Sequence, residues 1–271
     1  MKNLFHGYYR PSNEEFKKLW DESIFACDAN ILLNLYRYSK TTRSELIKLL
    51  TSLKDRIWIP NQAAEEYFRN RIIVSGSLSS EYDKVEKAIN DIYANLSNKK
   101  RHPFLGDSLL KEFESIITKF KKEFESNKQE LNDRFQDDEI LETVSELFNN
   151  KVGIKFSQEK LDEIYKEGKV RYEADIPPGF RDGKKDSSGN LYRKFGDLII
   201  WFELIEKSKK ENKSIIFITD DKKDDWWFEF NGKSLGPLPA LIHEFKEKTG
   251  QGFYMYTADR FMQAFTDYTT Q

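Results

Sequence analysis

The sequence predicts an α/β fold in which a parallel sheet is built from both ends of the chain and a helical insertion separates the two halves. Near both ends, short runs that are apolar on both faces alternate with helical patterns. Two long helical patterns interrupt this alternation. The 271 residues allow one large domain or two small ones. We expect a single domain with its core at about 5–75 and 170–271 and an insertion at 76–170.

The first half begins with the apolar run SIFACD, which we interpret as a strand that ends at Asp28. The helical pattern NILLNLYRY follows it directly. A capping box of Thr42 and Glu45 then predicts a helix that starts at Thr42. RIWIP predicts a second strand stopped by Pro60, and Asn61 is placed to cap the helix NQAAEEYFRNR.

The second half repeats the alternation. LYRKFGDLIIWFELIEKSKK has apolar residues at helical spacing, and the strand IIFIT follows it. We expect a helix at about 239–248, a strand at GFYMYT and a last helix from Ala258. Alternating strands and helices predict a parallel sheet with right-handed crossovers.

The insertion has the pattern of a helical hairpin. Its first helix carries a heptad seam formed by Leu78, Tyr82, Val85, Ile89, Ile92 and Leu96. RHPFLGD predicts a turn, and a second long helix follows. Shorter helices are expected at about 140–148 and 158–166, and DIPPGFRDGKKDSSGN at 175–190 should form a loop.

Composition and charge limit the function. The 44 basic and 46 acidic residues leave a formal charge of −2, so polyanion binding would need local patches or bound cations. The single cysteine, Cys27, excludes an internal disulfide and favours a reducing compartment. No apolar run has the length of a membrane span, so we expect a cytoplasmic protein with no membrane partner.

Acidic residues follow the strands. Three of them come directly after strands, namely Asp28, Asp220 and Asp221. Asp197 lies near the start of the helix that precedes IIFIT. Glu65 and Glu66 lie in the helix after the second strand. In a parallel sheet these positions share the carboxyl edge, where ligands bind. Crowded carboxylates favour Mg²⁺ or Mn²⁺, of which two ions can act together on a phosphodiester. Each acid taken alone has a simpler structural explanation, as a turn residue, a helix cap, a first-turn acid or part of a solvated surface.

At these residues the chain resembles PIN-like nucleases, and in particular the bacterial PIN-like family with a large helical insertion. The resemblance rests on FACDANILLNLYRY, IWIPNQAAEEYFRNR, PPGFRDGKK, FGDLIIWFELIE, FITDDKKDDWW and FKEKTGQGFYMYTADRF. It covers roughly 5–75 and 170–265. It implies a three-layer α/β/α sandwich and four acids that hold one or two Mg²⁺ or Mn²⁺ ions.

Carried over position by position, the resemblance gives Asp28, Glu66, Asp197 and Asp221 as the catalytic and metal-binding acids. Glu65 is the alternative to Glu66, and Asp220 and Asp225 are alternatives to Asp221. Asn30 and Thr219 would support the metal site. Basic residues of the PPGFRDGKK loop are candidates for phosphate binding, namely Arg181, Lys184 and Lys185.

The resemblance predicts a metal-dependent endonuclease that acts on RNA rather than DNA, with a role in host defence or RNA turnover. A DNA nuclease on the same fold is one alternative, since the metal chemistry does not read the sugar. A metal-binding regulatory module without turnover is another. The insertion could extend the nucleic-acid channel, gate the site, or bind a second copy or a regulatory protein.

Overall fold

The computed structural model describes residues 1, 5–9, 11–98, 100, 102–184 and 193–269. The helices are α1 Asn13–Glu22, α2 Ala29–Arg37, α3 Lys40–Ser52, α4 Asn61–Leu96, α5 Asp107–Asp133, α6 Glu139–Leu147, α7 Gln158–Glu173, α8 Gly196–Glu211, α9 Pro239–Thr249 and α10 Ala258–Thr269. The strands are β1 Ile24–Cys27, β2 Ile57–Trp58, β3 Ile215–Ile218, β4 Trp227–Phe230, β5 Lys233–Pro237 and β6 Phe253–Tyr256.

The predicted central parallel sheet is confirmed. Its strand order is β2-β1-β3-β6 and all three pairings are parallel, with Phe25 opposite Ile57 and Ile216. β1 and β3 are buried along their whole length, as apolar strands covered by helices on both faces must be. The fold is an α/β/α arrangement in which flanking helices enclose this sheet.

The chain divides into two compact units. The first comprises residues 1–68 and 144–271 and contains the sheet. The second, residues 69–143, is helical, and within it α4 and α5 pack as the expected hairpin through Tyr82 against Phe124 and an ion pair of Lys128 with Asp83. Helix α7, which we expected in the insertion, belongs to the first unit. The division into one domain with an insertion at 76–170 stays a prediction.

Two local details differ from expectation. Helix α3 begins at Lys40 instead of Thr42, because the Ser39 hydroxyl caps it by accepting the Thr42 N–H at 3.2 Å. The antiparallel hairpin β4–β5, which we did not predict, follows β3. Its two-residue turn is Asn231-Gly232, and both residues have positive φ, as a hairpin turn of this length requires.

The strand ends place three segments side by side. The Asp28 N–H donates to the Ile218 carbonyl at 2.9 Å, and the Thr219 N–H donates to the Tyr256 carbonyl at 2.9 Å. These bonds extend the ladder one residue beyond β1 and β3. The side chains of Asp28 and Thr219 therefore emerge together at the carboxyl edge of the sheet.

Candidate active site at the carboxyl edge of the sheet

Asp28 is held by three hydrogen bonds at the start of α2. Its Oδ1 accepts the Ala29 N–H at 2.7 Å. Its Oδ2 accepts from Asn30 Nδ2 at 2.6 Å and from the Thr219 hydroxyl at 2.7 Å. Asn30 also donates to Thr219 Oγ1 at 3.0 Å. Asn30 and Thr219 thus orient this carboxylate, although their role in supporting a metal stays a prediction.

Glu66 and Glu65 have different surroundings, although they are neighbours in α4. Glu66 Oε1 accepts from Gln62 Nε2 at 2.7 Å and faces Gly196, where an added Cβ would lie 2.8 Å from it. Glu65 Oε1 instead binds the exposed Lys155 at 2.6 Å. Glycine at 196 therefore lets Glu66 approach the start of α8, directly beside Asp197.

Asp197 and Asp221 converge on a lysine. The Lys223 ammonium lies 2.8 Å from Asp197 Oδ2 and 2.8 Å from Asp221 Oδ2. A third acid, Asp182 from the PPGFRDGKK loop, lies 3.0 Å from the same ammonium. Asp182 and Lys223 are functional candidates that sequence reasoning missed. Asp182 lies among the basic residues of its loop and Lys223 lies within the charged run DDKKDD, so the sequence pattern did not distinguish either residue from its neighbours.

The electrostatics of this edge favour protonated carboxyls. Burial raises the pKa of Asp28 to about 7; the Thr219 hydrogen bond opposes the rise, and the charges of Glu66 and Asp197 add to it. Burial likewise raises the pKa of Asp197 to about 6, against the opposing charge of Lys223. Burial is thus the largest cause of both shifts, and neighbouring carboxylates add to each.

The two alternatives to Asp221, Asp220 and Asp225, form hydrogen bonds with other segments of the chain. Asp220 accepts the Ala258 N–H at 2.8 Å, Asn34 Nδ2 at 2.7 Å and the Tyr38 hydroxyl at 3.2 Å. It therefore fixes the start of α10.

Asp225 is buried and accepts the N–H groups of Gly179 and Arg181 through Oδ2, each at 3.0 Å. Its Oδ1 has no hydrogen-bond partner among the described residues. Asp225 therefore anchors the loop that carries Asp182.

The candidates for phosphate binding are only partly described. Arg181 forms a two-pronged ion pair with Asp224, which a phosphate would have to displace. Lys185 lies outside the described residues, and of Lys184 only the backbone is described. Next to this loop, Trp226 and Trp227 are buried, and Trp226 Nε1 donates to Asp197 Oδ2 at 3.4 Å.

The donor set fits a hard divalent cation in its chemistry, since carboxylate oxygens are the ligands that such ions prefer. The carboxylate oxygens around Lys223 are spaced as they are around an ammonium group. The N–O distances of 2.8 to 3.0 Å around Lys223 exceed the roughly 2.0–2.1 Å of Mg²⁺–oxygen bonds. Accordingly, no group of three or more His, Cys, Asp or Glu side chains in the described part of the chain is arranged to hold a metal ion.

A parallel sheet with acids gathered at its carboxyl edge defines the class of α/β proteins that carry a polar site at strand ends. Within that class, a family model described as a PIN like domain matches residues 24–241, so the chain belongs to the PIN-like domain family. The resemblance inferred from the sequence is thereby confirmed. No curated protein matches the chain, and no solved structure does.

Membership of the PIN-like domain family indicates a general class of function. PIN-like domains are commonly nucleases and typically use divalent metals. The chain therefore has a nuclease-type fold, and nucleic acid is the class of partner that such a fold implies. None of the described helices is both long enough and apolar enough to cross a membrane.

Proposed function

We propose that this protein is a metal-dependent endonuclease that hydrolyses phosphodiester bonds, with RNA as the preferred substrate. The observation that carries the proposal is the gathering of acids at one sheet edge, where burial raises the pKa of Asp28 to about 7 and the charges of Glu66 and Asp197 add to the rise. In this proposal, Asp28, Glu66, Asp197 and Asp221 hold Mg²⁺ or Mn²⁺. Such an ion, when bound, supplies an activated water and stabilises negative charge on the phosphate.

The chain's own residues would do the positioning. Asn30 and Thr219 would orient Asp28 through their hydrogen bonds, and the Trp226 indole N–H would help to orient Asp197. Arg181 would bind a phosphate after leaving Asp224. Because the net charge is −2, local cations must supply the attraction for the substrate.

The preference for RNA and a role in host defence or RNA turnover rest on the family resemblance alone. Cys27 is buried with a free thiol, which supports a reducing, cytoplasmic location. The helical hairpin is the proposed surface for a second copy or a regulatory protein.

The test uses purified protein with labelled single-stranded RNA, single-stranded DNA and duplexes, each with Mn²⁺, Mg²⁺ or EDTA. Cleavage should require the metal and should be lost in Asp28→Asn and Asp197→Asn. Asp55→Asn, an exposed acid at the amino end of β2, is the matched control and should cleave normally. Equal cleavage by all variants would contradict the site assignment, and cleavage of DNA alone would contradict the substrate.

A binding or regulatory module is the second candidate. The observation that favours it is that the Lys223 ammonium lies among Asp182, Asp197 and Asp221. Binding of RNA without cleavage of any substrate would support this candidate over the nuclease.

A further inference from the structure

The helical hairpin formed by α4 and α5 carries large apolar side chains that the rest of the chain leaves uncovered. Five of them are each between 42 % and 52 % exposed, namely Val85, Ile92, Leu109, Ile116 and Phe120. An isolated exposed apolar residue is ordinary, whereas a contiguous patch marks an interaction surface. The positions of the five residues around their helices therefore decide what they mean.

On α4, the apolar residues lie to one side of the line of contact with α5. Tyr82 marks that line, because its ring contacts the ring of Phe124 at a centroid distance of 5.3 Å. Successive residues of an α-helix turn by about 100°, so Val85 and Ile92 lie about 60–80° to one side of Tyr82. Asp83 lies about 100° to the other side.

On α5, the apolar residues are displaced from the line of contact in the same way. Three of them lie about 40–80° to one side of Phe124, namely Leu109, Ile116 and Phe120. Lys128 lies about 40° to the other side, and its ammonium is 2.7 Å from the Asp83 carboxylate. This ion pair shows that Lys128 and Asp83 are on the same side of the hairpin. The five apolar residues therefore share the opposite side, and we call them the apolar face.

The apolar face is arranged in layers. The antiparallel register of the hairpin brings Val85 level with Phe120 and brings Ile92 close to the level of Ile116. The two layers are about 10 Å apart along the helices. Seven residues separate Val85 from Ile92, which is the repeat of a coiled-coil seam. Leu109 extends the face toward the turn of the hairpin.

Two apolar layers make this face complementary to itself. A rotation of 180° about an axis perpendicular to the face, between the layers, places each layer against the other layer of a second copy. Two antiparallel helical hairpins that pack in this way form a four-helix bundle. The polar side of the hairpin, which carries the ion pair of Lys128 with Asp83, stays in solvent in such a bundle.

The area of the apolar face is sufficient for a specific dimer. Five half-exposed side chains of this size present on the order of 400 Å² of apolar surface per copy. About 60 % of a typical interface is apolar, so two copies would bury on the order of 1,300 Å² in total. Specific interfaces bury about 1,200–2,000 Å², and an interface at the lower end of this range is expected to have micromolar affinity.

We propose that the protein forms a homodimer in which the apolar face of one hairpin packs against the same face of a second copy, as a four-helix bundle. The inference deepens the proposed function and rests on it for the role given there to the hairpin as a binding surface. It assigns a second copy, rather than a regulatory protein, as the partner. It also assigns the contact to one side of the hairpin.

The test is sedimentation velocity of the full chain over a range of concentrations up to about 100 µM, in EDTA and without nucleic acid. The proteins are the wild type, Ile92→Glu, Ile116→Glu and Ile154→Glu. Ile154 is the matched control, because it is an exposed isoleucine of the other compact unit. Circular dichroism checks that each variant keeps the helix content of the wild type, which is expected because both substituted hairpin positions are exposed.

The wild type and Ile154→Glu should reach the same monomer–dimer equilibrium. Ile92→Glu and Ile116→Glu should each raise the dimer Kd at least about tenfold, because the carboxylate would lose its solvent against an apolar surface. A wild type that stays monomeric at the highest concentration would overturn the proposal and leave the face to a different partner. A dimer that both hairpin variants form as tightly as the wild type would overturn it as well.

Failure of the proposed function would look different. A wild type that cleaves no nucleic acid would contradict the nuclease, whatever its state of association. A dimer that is lost in the hairpin variants would still support the inference in that case, because sedimentation does not depend on turnover.

Discussion

Glu203 provides the sharpest test of the electrostatics in this fold. It lies on α8, is 5 % exposed, and accepts the Gln62 N–H at the start of α4 at 3.1 Å. Burial raises the pKa of Glu203 to about 8, although the hydrogen bonds from Gln62 and Asn61 oppose the rise. The carboxyl is therefore protonated in the folded protein at neutral pH and ionised in the unfolded chain.

The sign of the effect follows from this difference. Because the pKa is higher in the folded state, the contribution of Glu203 to stability is complete below pH 4.5 and is lost as the pH rises to about 8. That span corresponds to at most roughly 5 kcal/mol of unfolding free energy. Glu203→Gln removes the ionisation but buries an amide NH₂, which costs about 1–3 kcal/mol if it lacks an acceptor.

We therefore expect Glu203→Gln to be less stable than the wild type by about 1–3 kcal/mol at pH 4.5. At pH 8.5 it should be more stable by about 2–4 kcal/mol. Urea unfolding of the full chain at both pH values measures the two differences. Glu206→Gln, an exposed carboxylate on the same helix that pairs with Lys209, is the control and should change stability by less than about 0.5 kcal/mol. A Glu203→Gln effect of the same size at both pH values would refute the reasoning.

Three further predictions concern the site. Gly196→Ala should keep or slightly raise the melting temperature, by helix propensity, but should lower cleavage at least about tenfold, because its Cβ displaces Glu66; unchanged cleavage would contradict this. Asp220→Ala should lower the urea unfolding free energy by about 2–3 kcal/mol through loss of the Ala258 contact, and an unchanged value would refute that role. Mn²⁺ should raise the melting temperature more at pH 8 than at pH 5.5, because protons compete for Asp28 below its pKa of about 7. Equal rises at both pH values would count against metal binding at Asp28.

The sheet was predictable because its strands obey a simple physical rule. SIFACD and IIFIT are apolar on both faces, and only a central parallel strand covered by helices buries both faces. The hairpin β4–β5 escaped prediction although its turn, Asn231-Gly232, is a known hairpin signal.

Helix boundaries were less predictable, because several residues compete for the same cap. Thr42 and Glu45 form a capping box in sequence, yet Ser39 caps α3 three residues earlier. Helix α1, which we did not predict, begins with a capping box of Ser12 and Glu15. In both cases the hydrogen bond that determines the start depends on backbone conformation, which the sequence does not specify.

The positions of the acids at the strand ends predicted that their side chains lie at one edge of the sheet. Which residues each acid contacts depends on tertiary structure, which the sequence pattern does not show. The sequence favoured Glu66 over Glu65 only through the family resemblance, whereas in the structure Lys155 pairs with Glu65 and Gly196 leaves space for Glu66. No periodicity could have shown that Asp182 reaches the site from a loop 15 residues before Asp197. That placement depends on Asp225 and the backbone it binds.

The crowding of acids at this edge has a thermodynamic consequence that favours a bound cation. Burial raises the pKa values of Asp28 and Asp197, so both carboxyls reduce the stability of the folded protein at neutral pH. Acids needed only as helix caps would gain nothing from being buried beside one another. Lys223 offsets the repulsion around Asp197 but does not contact Asp28, where the negative charge of Glu66 adds to the strain. A cation that binds near Asp28 would relieve this remaining repulsion, so metal binding and folding stability should be coupled at this site.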